Sequence, residues 1–79
     1  MSKLVLYSQP DCPPCEYAKR YFEDSGIPYI VKDIKKDKEA RNELIHKYHS
    51  FSTPTFVIND DVIIIGFDQE KIKEALNIE

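Results

Sequence analysis

The chain has 79 residues, of which 42% are hydrophobic and 11% aromatic, and this composition is typical of one globular domain over residues 1–79 rather than of a disordered or repetitive chain. A formal net charge of -3 argues against nucleic-acid binding, because affinity for phosphate backbones requires clustered Lys and Arg.

The apolar stretches are too short to span a bilayer, and the first residues lack the apolar region of a signal peptide. We therefore expect a cytoplasmic protein without a membrane partner. It should fold alone as a monomer, and its partners should be proteins or small molecules rather than nucleic acids.

The first elements in chain order are a strand, a helix and a second strand. Residues 3–8 form a nearly continuous apolar run, which is typical of a strand covered on both faces. Prolines after Cys12 favour a helix start, apolar residues follow at helical spacing, and Gly26 and Pro28 are stop signals. Residues 27–32 predict the second strand, so the crossover should be right-handed and the two strands parallel.

The second half predicts a helix, a hairpin and a last helix. Asp37 can cap the second helix, whose inward residues should be Ala40, Leu44, Ile45 and Tyr48. Residues 55–58 and 62–65 are apolar runs joined by Asn59-Asp60-Asp61, which tolerate tight-turn angles. Asp68 should cap a last helix that buries Ile72, Ala75 and Leu76. The order β-α-β-α-β-β-α predicts an α/β fold with a mixed four-stranded sheet and three helices.

Cys12 and Cys15 carry the candidate chemistry. In a reducing compartment a close cysteine pair indicates redox or metal chemistry rather than a disulfide framework. Cys12 lies where the first strand gives way to the helix, so free N-H groups and the helix dipole favour its thiolate. Cys15 lies one turn deeper and should be less exposed. We therefore expect Cys12 to attack a substrate disulfide and Cys15 to resolve the mixed disulfide.

Two other interpretations of the pair stay open. A structural disulfide closing so short a loop would stabilise the fold by only about 2 kcal/mol in the loop-entropy model. A zinc site could combine Cys12 and Cys15 with His46 and His49, although thirty residues separate Cys15 from His46 and the histidine spacing is tighter than usual. The alternative function is thus a metal-binding module, with zinc or with an iron-sulfur cluster shared between two chains.

Thr53-Pro54 and residues 66–69 each have two interpretations. Pro54 can simply begin a strand, or it can follow a cis peptide bond that turns the Thr53 backbone toward a substrate; the rarity of cis bonds favours the first. Residues 66–69 enter the last helix, whose free N-H groups can bind a carboxylate. A simple turn at Gly66 with Asp68 as a cap explains them equally well.

Together, Cys12-Pro-Pro-Cys15 after a strand, Thr53-Pro54 before a hairpin and Gly66-Phe67 before the last helix make the chain resemble a minimal glutaredoxin over essentially its whole length. The resemblance implies a thioredoxin fold, a cis Pro54 packed beside Cys12, and no tightly bound cofactor. It implies glutathione or another thiol as co-substrate and disulfide-containing proteins as partners. The implied substrate-binding residues are Gln9, Pro13, Thr53, Pro54, Gly66, Phe67, Asp68 and Gln69.

Three departures from that family pattern bear on the substrate. Gln9 stands where glutathione-using glutaredoxins carry Lys or Arg, Phe67 replaces the second of two glycines, and the dipeptide between the cysteines lacks the usual tyrosine. The Gly66-Phe67 pair is more similar to small redoxins that serve ribonucleotide reductase and are recycled by thioredoxin reductase. Ribonucleotide reductase is therefore an expected substrate, and glutathione or thioredoxin reductase an expected electron source.

The same positions lead to a hypothesis about reactivity. Pro14 has no N-H to offer the Cys12 sulfur, and Gln9 has no positive charge. Asp11 and Glu16 add negative charge nearby. We expect the Cys12 thiolate to be less stabilised than in a typical glutaredoxin, and the dithiol to be correspondingly more reducing.

Overall fold

A computed structural model describes residues 3–76, and its element order is the predicted β-α-β-α-β-β-α. The strands and helices are β1 (Leu4–Ser8), α1 (Pro13–Asp24), β2 (Ile30–Asp33), α2 (Lys38–Asn42), β3 (Thr55–Ile58), β4 (Val62–Ile65) and α3 (Gln69–Leu76), and one π-helical turn, Glu43–Lys47, directly follows α2. None of the helices within residues 3–76 is long and apolar enough to cross a membrane.

The four strands form one mixed sheet in the order β2-β1-β3-β4, as expected. β1 pairs in parallel with β2 and antiparallel with β3, and β4 closes a hairpin with β3. The turn of this hairpin uses Asn59 and Asp60 at φ of 55° and 57°, a left-handed conformation that Asn and Asp tolerate. β1 and β3 are central and entirely buried, so the cysteines follow the most enclosed strand of the sheet.

β2 begins three residues later than predicted. The backbone of Ile27 is already engaged, because its N-H donates to the carbonyl of Phe22 at 2.8 Å and so closes the end of α1. Pro28 has no N-H to offer a neighbouring strand. The strand therefore starts at Ile30, and its exposed Ile30 and Val31 mark it as an edge strand.

The predicted second helix is interrupted. Asp37 caps α2 as expected, its Oδ1 accepting from the N-H groups of Glu39 and Ala40 at 3.0 and 3.2 Å. After Asn42 the backbone widens into the π-helical turn. Leu44 and Tyr48 remain buried against the sheet, whereas Ile45, expected to point inward, is only half-buried.

The sheet separates two clusters of buried side chains. The α1/α3 face, packed against α1 and α3, holds Leu4, Leu6, Ala18, Phe22, Phe56, Ile58, Ile64 and Ile72. The α2 face, packed against α2 and the π-helical turn, holds Val5, Tyr7, Ala40, Leu44, Tyr48 and Val57. Successive side chains of β1 point to opposite faces of the sheet, as in any β-strand. Of the residues predicted inward on the last helix, Ile72 is fully buried, and Ala75 and Leu76 are half-buried against the first cluster.

Candidate active site

The first turn of α1 is built around Cys12. Cys12 is the N-cap residue, and its Sγ accepts a hydrogen bond from the backbone N-H of Cys15 at 3.3 Å. Pro13 and Pro14 occupy the first two helical positions, where their missing N-H groups remove no helical hydrogen bond. Cys15 therefore carries the first backbone N-H that the helix offers to the Cys12 sulfur.

Cys12 and Cys15 are joined by a disulfide, with their Cα atoms 5.2 Å apart. Cys12 keeps 8% of its surface exposed and Cys15 none, which is the order of exposure that the sequence predicts. A partner molecule approaching from solvent thus meets the Cys12 sulfur first. Cys15 lies one turn into the helix, on the buried side with Ala18 and Phe22.

The loop before β3 brings a hydroxyl to the same sulfur. Thr53 Oγ1 donates to Cys12 Sγ at 3.6 Å, and the Thr53-Pro54 peptide bond is cis, as the family resemblance implied and the residues alone did not favour. Pro54 is buried beneath this contact. Sequence reasoning placed Thr53 in a groove but missed its hydroxyl contact; a hydroxyl side chain directly before the proline was the available signal.

The turn before α3 joins the same group. Gly66 adopts a φ of +84°, which a glycine accepts without strain, and its N-H donates to the carbonyl of Pro54 at 2.8 Å. Asp68 caps α3 through a hydrogen bond from the Lys71 N-H at 3.2 Å. Of the other predicted substrate-binding residues, Gln9, Pro13 and Gln69 are exposed.

Phe67 lies in an aromatic cluster between this turn and α1. Its ring centroid is 5.5 Å from that of Tyr17, 5.9 Å from Tyr21 and 6.2 Å from Phe56. Phe67 is half-buried, whereas 67% of Tyr17 is exposed. The sequence analysis did not identify Tyr17 as a site residue. The only signals for it were its position five residues after Cys12 and its outward orientation on the helix.

Buried hydroxyl groups shape the loop that carries Thr53. Thr55 Oγ1 donates to the carbonyl of Ser52 at 2.7 Å, and the Ser50 and Thr55 hydroxyl oxygens lie 2.8 Å apart. The Ser50 hydroxyl also lies within hydrogen-bond distance of the Ser52 carbonyl, at 3.4 Å, and either hydroxyl can be the donor in the contact between Ser50 and Thr55. Both side chains are buried, so these bonds hold the loop in its present course.

A polar network on the α2 face was also missed. Glu43 accepts hydrogen bonds from Tyr7 Oη at 3.2 Å and from Lys32 Nζ at 2.9 Å, and Lys32 lies over the Tyr7 ring. The hydrogen bond from Lys32 lowers the pKa of Glu43, and the same bond raises the pKa of Lys32. Burial raises the pKa of Tyr7. This network stabilises the sheet beside the site without touching the sulfurs.

The structure does not bring together the residues of the alternative zinc site. In the part of the chain that the structure describes, no group of three or more His, Cys, Asp or Glu side chains is placed to hold a metal ion. His46 and His49 are both exposed near the end of the π-helical turn, and the two cysteines are bonded to each other instead.

Comparisons with known proteins agree with this geometry. A family model described as Glutaredoxin matches residues 4–63. The structure of a mutant of the thioredoxin-like protein BC3987 superposes with a TM-score of 0.92 at 46% identity, covering 100% of both chains. The glutaredoxin of Archaeoglobus fulgidus superposes with a TM-score of 0.76 at 30% identity, covering 96% of this chain and 87% of that one. A thioredoxin of Methanocaldococcus jannaschii is 34% identical over 94% of this chain and 86% of its own.

Proposed function

The chain belongs to the glutaredoxin family, and from this premise we propose that it reduces protein disulfides or glutathione mixed disulfides, with Cys12 as nucleophile and Cys15 as resolving thiol. A thiol-disulfide redox role follows from the family and from a cysteine pair at bonding distance. The observation that carries the finer assignment is the difference in burial between the two sulfurs: Cys12 is exposed at 8% and Cys15 at 0%.

The proposed reaction starts from the dithiol. The Cys12 thiolate attacks one sulfur of the substrate disulfide; the substrate S-S bond breaks, and the leaving sulfur takes a proton. Cys15 then loses its proton and attacks the Cys12 sulfur, which releases the second substrate sulfur as a thiol. The substrate has gained two electrons and two protons, and the protein is left as the Cys12-Cys15 disulfide.

Two donors support the assignment of Cys12 as the attacking group. In the oxidised form the Cys15 N-H and the Thr53 hydroxyl both lie within hydrogen-bond distance of Cys12 Sγ, and they would stabilise a thiolate held at the same place. The helix dipole adds to this at the N-terminus of α1. Neither Pro13 nor Pro14 contributes an N-H, so we expect a thiolate stabilised by few donors.

We place the substrate peptide along Thr53 and the turn at residues 66–69, with Gln9 and Pro13 flanking it. The hydrogen bond between Gly66 and Pro54 supports this placement, because it joins the turn to the loop that contacts Cys12. Ribonucleotide reductase is a candidate substrate. The oxidised pair would be recycled by glutathione or by thioredoxin reductase, and the whole chain would act as one domain without a bound cofactor.

Replacing each cysteine separately tests the roles. We expect Cys12→Ser to abolish reduction of both a protein disulfide and a glutathionylated peptide. Cys15→Ser should lose the first reaction and keep the second, because glutathione can resolve a mixed disulfide in place of Cys15. Activity of the Cys12→Ser variant on either substrate contradicts the assignment. So does stoichiometric iron or zinc in anaerobically purified protein that disappears in this variant.

The electron source is tested by offering the oxidised protein separately to glutathione with its reductase and to thioredoxin reductase. Fast turnover in one system identifies the reductant. Slow turnover in both contradicts both candidates and indicates a different low-molecular-weight thiol.

A further inference from the structure

A groove of about 560 Å³ opens beside the reactive pair, on the side of the segment before Cys12. We name it the basic groove and define it by Gln9, Pro10, Lys35, Lys38, Arg41 and Phe51. Its volume lies within the range of about 300 to 1,000 Å³ that is usual for ligand sites. It is large enough for a few side chains of a partner.

The groove carries three positive charges and no negative one among the described residues that line it. The ion pairs within residues 3–76 are Lys19–Glu16 and Lys32–Glu43, so in that part of the chain the groove cations have no carboxylate partner. The local excess of positive charge attracts anions although the chain as a whole has a net charge of -3.

Two carboxylates close to the groove lysines in sequence, Asp33 and Asp37, accept hydrogen bonds from the backbone. Asp33 Oδ1 accepts from the N-H groups of Lys35 and Lys36 at 2.9 and 3.3 Å. Asp37 Oδ1 is likewise used to cap α2. Both side chains therefore fold back onto their own turn, and Glu39, which follows Lys38, forms no ion pair with the groove cations Lys35, Lys38 and Arg41 in the described part of the chain.

The floor of the groove is apolar. Leu44 is buried there, and Ile34 and Ile45 are half-buried. Phe51 stands at the margin with 82% of its surface exposed, more than any other large apolar residue described. An exposed aromatic ring beside a cleft is typical of an anchor for a partner's apolar side chain.

Two chain segments connect the groove to the active site. Pro10 precedes Cys12 by two residues, and Phe51 precedes Thr53 by two residues, while the Thr53 hydroxyl contacts Cys12 Sγ. A segment bound in the groove would therefore contact both chain segments that lead to the active site.

We infer that the basic groove binds a protein segment that carries Asp or Glu together with an apolar side chain and that flanks the disulfide to be reduced. This inference rests on the proposed function and specifies its substrate class. Glutathione shares the carboxylates but has no apolar side chain for Phe51 and the groove floor, which is why a protein segment fits the whole surface better.

The test uses the reduced protein in single turnovers with three disulfide-bonded cyclic peptides. They share one ring and one flanking Leu and differ only in a flanking pair of Glu, Gln or Lys. We expect the Glu peptide to react about five-fold faster than the Lys peptide at low ionic strength, because rim charges act mainly on association. This preference should fall toward unity in 0.5 M NaCl, where the Debye length is only about 4 Å.

Matched variants assign the effect to the groove. Lys38→Gln with Arg41→Gln should remove the preference for Glu and leave the rate with the Gln peptide within two-fold, which also shows that the variant folds and reacts. Lys71→Gln with Lys73→Gln on α3 removes the same charge and should keep the preference. Phe51→Ser should slow the Leu peptides about three-fold and leave a small glutathione mixed disulfide unaffected.

Equal rates with the three peptides overturn the inference and leave the proposed function standing. The same holds for a preference that survives in the Lys38 and Arg41 variant, or for a Phe51→Ser loss that is equal on the glutathione mixed disulfide. Failure to reduce any peptide disulfide, protein disulfide or glutathione mixed disulfide overturns the proposed function, and the inference falls with it.

Discussion

The two faces of the sheet are built differently. The buried cluster of the α1/α3 face consists of aliphatic and aromatic side chains, and the reactive cysteines lie on the helix that covers it. The α2 face combines a smaller apolar cluster with buried hydroxyl groups and the Tyr7, Lys32 and Glu43 network. The first face therefore fixes the sulfurs by packing, which depends little on pH, whereas the second depends on hydrogen bonds and charge.

The largest effect on stability is expected from truncating a buried side chain of the α1/α3 face. Phe22 is fully buried and meets the Phe56 ring edge-on at 5.8 Å. Phe22→Ala should lower the free energy of unfolding by about 3 to 5 kcal/mol, measured by urea denaturation, through lost burial and a cavity. Tyr17→Ala on the exposed side of the same helix should cost less than about 1 kcal/mol. Similar losses of stability in the two variants would show that the side chains buried under α1 stabilise the fold no more than those on its exposed side.

A smaller effect is expected from the buried hydroxyls of the α2 face. Thr55→Val keeps the side-chain shape but removes the hydrogen bonds of the Thr55 hydroxyl with Ser50 and with the Ser52 carbonyl, so we expect a loss of about 1 to 3 kcal/mol. Combining it with Ser50→Ala should cost less than the sum of the single losses, because both partners are then removed. Strictly additive losses in a double-mutant cycle would mean that the two hydroxyls do not depend on each other.

The smallest effect should come from the ion pair. Lys32 holds the pKa of Glu43 below its usual range, so the pair stabilises the fold above the unfolded pKa of Glu and this stability is lost as the pH falls through the lower, folded value. Both side chains are about a third exposed, so the ion pair contributes little to stability. Between pH 6 and pH 3, the unmodified chain should lose only about 0.2 to 1 kcal/mol more stability than the Glu43→Gln variant.

The control for this pH effect is Glu39→Gln, since Glu39 is exposed and makes no ion pair within residues 3–76. The difference between the unfolding free energies of the two variants should be smaller at pH 3 than at pH 6. If the stability of Glu43→Gln has the same pH dependence as that of the unmodified chain, the Lys32–Glu43 ion pair does not contribute to the stability of the α2 face.

The features that depend on residues close together in the sequence were predictable. The element order, the Asp37 cap, the hairpin turn and the exposure order of the two cysteines follow from local patterns of apolar, capping and turn residues. The cis bond before Pro54 did not follow from the residues, because its base rate is low. Only the resemblance to a family indicated it.

The remaining features arise from contacts between distant segments. Glu43 meets Tyr7 and Lys32 only because the sheet brings β1 and β2 under the π-helical turn. The turn itself, and the half-buried position of Ile45, reflect packing against that sheet rather than helix propensity. The presence of two cysteines and two histidines left a zinc site open as an alternative, but residue type alone gives no side-chain direction, and His46 and His49 are both exposed.

Pro13 and Pro14 are exposed on the first turn of α1, and neither side chain enters the buried clusters. The dipeptide enclosed by the two sulfurs is therefore separable from the scaffold that orients them. We expect other dipeptides to be accommodated between the cysteines with little change in the packing of the two buried clusters.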